Sequence, residues 1–135
     1  MKYILVCLAL AGAIVSSLAL HVHYSNDDQD EPCNINAHWD CGIVNHSPFA
    51  EIAHIPVAAI GIVGYLALIP MAFVHRHRFF FLASLVGLGF ALYLTYIEKY
   101  ILEVWCIYCV LSLGIITLNT LLSGGWLLWT RFKTK

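Results

Sequence analysis

Charge is what this chain lacks: Lys, Arg, Asp and Glu together make up 11% of it, against 61% apolar residues. An ordinary soluble domain carries about a quarter charged residues, so that class is excluded at the outset. No basic domain is present to bind nucleic acid, and there is no Gly-rich phosphate loop, long linker or low-complexity stretch. At 135 residues the chain is too short for two ordinary domains and reads as one, residues 1–135. The histidines (His21, His23, His38, His46, His54, His75 and His77) fall mostly in loops or near interfaces. None pairs at metal-ligand spacing with a carboxylate, so no metal is expected.

What is abundant is apolar sequence, and it is divided into lengths that match a bilayer. A helix needs roughly 20 largely apolar residues to cross the hydrocarbon layer. Four such runs occur, near Tyr3 to Leu20, Ile55 to Val74, Phe79 to Ile97 and Trp105 to Trp129. The expected fold is an all-α, four-helix membrane bundle. A cleaved secretory signal is the alternative for the first run, since Lys2 precedes it and Ser16, Ser17 and Ala19 lie near its end.

Threading four helices puts Lys2, Arg76, Arg78, Arg131, Lys133 and Lys135 on one side and only Lys99 on the other. By the positive-inside rule the first side, with both termini, is cytoplasmic. Asp27, Asp28, Asp30, Glu31, Asp40, Glu51, Glu98 and Glu103 collect on the outer side. No charge is then expected within a span, which weakens a channel or transporter reading.

Of the five cysteines, Cys33, Cys41, Cys106 and Cys109 fall on or near the outer, oxidising face, where four cysteines read as two disulfide-capable pairs. Cys7 lies inside the first helix, where a cysteine is ordinarily a small buried hydrophobe. Cys106-Ile107-Tyr108-Cys109 opens the fourth helix, and free backbone N–H groups with the positive end of the helix dipole stabilise a thiolate there. Half of a zinc site is the competing reading of Cys-x-x-Cys, but the other pair is spaced Cys-x7-Cys, outside the usual ligand spacings. Cys33 and Cys41 lie between the first two helices, where Trp39, Ile43 and Val44 at helical spacing suggest a short amphipathic surface helix. A fixed loop-bracing disulfide is the alternative to a redox role for this pair.

Taken together, Ala19-Leu20-His21-Val22, Cys33-x7-Cys41, Ser47, Ile55-Pro56-Val57 with Gly61 and Gly64-Tyr65, and Cys106-x-x-Cys109 resemble the vitamin K epoxide reductase family over nearly the whole chain. Trp105 and Tyr108 around the last pair look more like bacterial members. The resemblance implies a membrane thiol oxidoreductase of the bacterial inner membrane. Cys109 would react with a quinone of the ubiquinone, menaquinone or phylloquinone type, Cys106 would resolve that product and exchange with Cys41, and Cys33 would face a protein partner. It also implies Ser47 near the quinone, although a turn residue before Pro48 is an equal reading.

Animal members that process the epoxide carry an Asn near the start of the second helix and a Tyr four residues past the last active-site cysteine. Here Val57 and Leu113 stand at those positions, which favours a simple quinone over the epoxide. Some bacterial members carry a fused thioredoxin-like domain. This chain has none, implying a separate thioredoxin-like partner on the outer face. His54 stands where family members often have Gly.

Ala83, Gly87 and Ala91 give the third helix a small-residue stripe that reads as a packing surface, with Gly61 and Gly64 acting similarly in the second. The expected quinone cleft lies at the outer leaflet, with Ser47, Tyr65, Leu94, Leu102, Tyr108 and Leu113 as candidate contacts. The competing function is a non-catalytic membrane subunit whose outer loop is stapled by disulfides.

Overall fold

The computed structural model describes residues 1–24, 38–40, 43–44, 46–74 and 76–135. Four long helices dominate: α1 (Lys2–Tyr24), α2 (Val57–Phe73), α3 (His77–Ile97) and α4 (Ile107–Lys133). Three segments, Lys2–Tyr24, His77–Leu102 and Ile107–Lys133, are long and apolar enough to cross a bilayer. The 17 residues of α2 rise about 26 Å, at the short end of what spans. Large apolar side chains such as Val63, Leu66, Leu82, Val86, Leu121 and Leu128 are exposed on the outside of the bundle, where lipid is their natural solvent.

α1 buries Leu5, Ala9, Gly12, Ala13, Ser16, Ala19 and Val22, a stripe at three- and four-residue spacing. The stripe continues past Leu20 to Val22, which is why the helix outlasts its expected end. Cys7 corrects a sequence expectation: it is exposed, not buried. It sits two residues from both Leu5 and Ala9, and two residues turn a helix by about 200°, so it faces away from the core. α1 packs against α2 and α4, and α3 packs against α4, while α2 and α3 meet less extensively. The core cluster of Leu5, Ala9, Ala13, Tyr65, Leu68, Ala72, Phe80 and Ile116 joins all four helices. Gly12 is required for this packing, because a Cβ there would run into the Tyr65 ring.

Between α1 and α2 the described residues include Ile43 and Val44, both helical, then a 3-10 turn (Pro48–Ala50) and a small hairpin of β1 (Glu51–Ile52) and β2 (Ile55–Pro56). Val44 is buried, whereas Ile43, expected on the same apolar side, is exposed. The hairpin takes Ile55 and Pro56, which form β2, out of the helical run expected from Ile55. Its two-residue turn has Ala53 at φ 52° and His54 at φ 66°. Positive φ at both positions is the signature of a type I′ turn, which favours Gly or Asn. A Gly at the His54 position would meet that demand without cost, and His54 occupies it under strain. His23, in the last turn of α1, meets Glu51 at 3.1 Å and ties the hairpin to the helix.

Candidate redox site

α3 does not stop at the expected loop but runs on as a π-helical turn, Glu98–Leu102. Buried Ile97 before Glu98, and Leu102 after it packed against Val22, Val44 and Cys106, keep this turn at the bundle. Glu103, at φ 55°, then reverses the chain. Trp105 and Cys106 return in extended conformation, so the helix begins one residue after Cys106, later than the expected Trp105. Cys106 is therefore the N-cap of α4, and Cys109 lies in its first turn. The Cys106 N–H donates to Glu98 Oε2 at 3.2 Å, and its carbonyl accepts from the Val110 N–H at 3.0 Å.

The two thiols hydrogen-bond through their side chains. Cys106 precedes the membrane span of α4. The hydrogen bond from Cys109 holds its thiol below the ordinary range, against the opposing effects of its own burial and of the nearby Glu98 charge. Such a thiol is the attacking species in disulfide exchange. Cys106 is 0% exposed, enclosed by Val22 of α1 and Val44 of the outer segment.

Cys109 faces the other way, onto a cavity of about 520 Å³ between α2 and α3. Val57, Gly61, Gly64 and Tyr65 line one side and Gly87, Phe90, Ala91 and Leu94 the other, with Tyr108, Cys109 and Ser112 of α4 behind. Ser47, Phe49 and Ala50 of the 3-10 turn form its roof. Exposed Val86 and Ile60 stand at its edge, so the mouth opens sideways toward lipid. The small-residue stripe of α3 does more than pack: Ala83, Gly87 and Ala91 all lie on this wall, where absent side chains become cavity space. A mostly apolar cavity of this size with a few polar groups suits a small aromatic ring system.

The outer segment reaches the same place. Trp39 forms a parallel bridge with Trp105. The Asp40 N–H donates to the Trp105 carbonyl at 3.0 Å, and the Trp105 N–H donates to the His38 carbonyl at 2.7 Å. The two indoles lie 6.3 Å apart, tilted by 32°. Cys33 and Cys41 lie outside the described residues. In sequence, Cys41 follows Asp40 as Cys106 follows Trp105.

Among the candidate contacts, Ser47, Tyr65, Leu94, Leu102 and Tyr108 line the cavity. Leu113 does not; Ser112 and Ile116 hold that stripe of α4, and Leu113 is turned about 100° from Ser112. Ser47 is also a turn residue, with its Oγ donating to the Val44 carbonyl at 2.8 Å. Sequence reasoning missed Ser112, whose Oγ and carbonyl meet the Tyr65 hydroxyl at 2.8 and 2.9 Å.

It also counted Glu98 simply as one of the outer-face acids and missed its burial. Glu98 is 2% exposed and lies on the cavity wall, inside the apolar segment His77–Leu102. Of the ionisable side chains in that segment, Glu98 is therefore the one buried inside the bundle. The signal was present in the apolar residues around it, Tyr96 and Ile97 before and Tyr100 to Leu102 after, with Lys99 as the one charged neighbour.

The model of the vitamin K epoxide reductase family matches residues 3–123, from the start of α1 to well inside α4. Members of that family are multi-pass membrane proteins that reduce quinones with thiol electrons. With the match spanning all four helices, the Cys-x-x-Cys pair and the cavity, this chain belongs to the vitamin K epoxide reductase family.

Proposed function

We propose that the chain carries electrons from a separate thioredoxin-like partner to a membrane quinone and so supports disulfide formation on the outer side of a bacterial inner membrane. The observation that carries this reading is that the Cys106–Cys109 pair has two different neighbours. Cys109 borders an apolar cavity, and Trp105, next to Cys106, is hydrogen-bonded to the outer segment that leads into Cys41.

The partner's dithiol reduces a Cys33–Cys41 disulfide through a mixed disulfide on Cys33. The Cys41 thiolate then attacks Cys106 of an oxidised Cys106–Cys109 pair. Cys33 displaces Cys106 from Cys41, leaving the helix pair as a dithiol and the loop pair again oxidised. In the last step the S–S bond between Cys106 and Cys109 re-forms, and two electrons and two protons pass to the quinone as substrate. Both termini lie on the cytoplasmic side, where Lys2, Arg131, Lys133 and Lys135 cluster.

Val57 lines the cavity where an Asn side chain would hydrogen-bond a quinone oxygen, which supports a plain quinone as acceptor rather than an epoxide. The test is quinone-linked oxidation of a dithiol by the purified protein in lipid nanodiscs. Cys109→Ser abolishes it and Cys7→Ser leaves it intact. Full activity in Cys109→Ser protein contradicts the assignment.

A further inference from the structure

The relay leaves one feature of the site without a role. Glu98 Oε2 accepts from the Cys106 N–H at 3.2 Å, and the Cys109 thiol hydrogen-bonds the same side chain. Oε1 is buried and has no hydrogen-bond partner among the described residues. A buried carboxyl with an unpaired oxygen is costly, and an ionisable residue at membrane depth ordinarily marks a working site. The interruption of the regular helix at this point, a π-helical turn, is of a kind that often accompanies function.

The remaining wall offers few alternatives for moving a proton. Its other titratable side chains are Tyr65 from α2 and Tyr108 and Cys109 from α4, with Cys106 just behind; α1 contributes Ser16 and Ala19. The Tyr65 hydroxyl is engaged with Ser112. Yet reducing a quinone with a dithiol requires protons as well as electrons. Two S–H bonds break, one S–S bond forms, and the quinone takes two electrons and two protons on its oxygens to become the quinol. In an apolar cavity those protons need a carrier within reach of both sulfur and substrate.

We propose that Glu98 is a catalytic residue of this site, the carboxyl that takes the thiol proton from Cys109 and delivers it to a quinone oxygen in the cavity. The proposal rests on the quinone-reductase reading above. The Cys106 proton follows through its hydrogen bond with Cys109, so both protons reach the quinone and the carboxyl ends the turnover as it began.

The test uses the full-length protein in lipid nanodiscs, reduced beforehand and mixed with a short-chain benzoquinone. Quinol formation is followed in a single turnover across the pH range in which carboxyls and thiols titrate. Glu98→Gln keeps an oxygen to accept the Cys106 N–H but cannot carry a proton. Its quinol formation is expected to slow by about 10²–10⁴-fold and to lose the wild-type pH dependence, with disulfide exchange by a small dithiol preserved. Glu98→Asp should recover part of the rate and retain a pH dependence.

A Glu98→Gln rate within about threefold of wild type, with an unchanged pH profile, overturns the proposal, since a general acid–base is worth far more. Should Glu98→Gln fail to assemble, Glu98→Asp decides: a slower rate with a displaced pH profile supports the proton carrier, and wild-type rate and profile refute it. If wild-type protein itself forms no quinol, the quinone-reductase reading fails first and the role of Glu98 falls with it.

Discussion

Trp39→Ala separates a docked relay from two unconnected cysteine pairs. The Trp39 and Trp105 rings lie 6.3 Å apart and tilted, within the range where an aromatic pair adds about 0.5–1.5 kcal/mol beyond its burial. The backbone bonds of Asp40 and Trp105 survive the substitution, so the outer segment still docks, but less of the time. At about 1.4 kcal/mol per factor of ten, the equilibrium constant for docking falls by about two- to twelvefold.

Turnover driven by a reduced thioredoxin-like protein through the loop pair should fall by up to that factor. Turnover driven by a small dithiol, which needs no docked loop, should change little. Trp105→Ala should behave alike, and the double variant should be no worse than either single, since each removes the same contact. Equal slowing with both reductants, or additive effects in the double variant, would refute the idea that this bridge positions the relay.

His54→Gly should raise the thermal midpoint in detergent. Left-handed backbone costs a non-Gly residue about 1–2 kcal/mol, and the added chain entropy of Gly returns about 0.4–1 kcal/mol of that, leaving a net gain below about 1.5 kcal/mol. A lower midpoint would mean that His54 makes contacts worth more than its strain. For topology, a membrane-impermeant thiol reagent applied from outside to intact cells should, after reduction, label Cys33 and Cys41 but not Cys7; labelling of Cys7 alone would invert the orientation.

The four helices were legible because in lipid a spanning segment must be apolar over its whole length, and only a long run satisfies that. Their ends were less so. α1 runs past Leu20 because Val22 still packs, and α4 starts late because Trp105 is paired with His38 and Asp40 and Cys106 is still extended. The cysteine pair was visible from its spacing, whereas its partner Glu98 was not. A count of charges by loop treats every acid near a helix end as solvated, and only the path of the π-helical turn brings this one under Cys106. Cys7 failed for the opposite reason: in lipid, an apolar side chain has no need of the core. The cavity could not be read from the small-residue stripe, since Ala83, Gly87 and Ala91 serve packing and open space by the same absence of side chains.

The central claim, that electrons pass from the outer segment to the helix pair, is tested most directly by trapping the intermediate. In Cys33→Ala protein no Cys33 thiolate remains to release Cys41, so turnover should stop at a Cys41–Cys106 mixed disulfide with Cys109 as a free thiol. Such a bond needs the two Cα atoms within about 4.4–6.8 Å. Mass spectrometry of that protein, alkylated rapidly and digested without reductant, should find a peptide joining Cys41 to Cys106. Recovery of Cys106–Cys109 as the only disulfide, with Cys41 alkylated throughout, would contradict the relay.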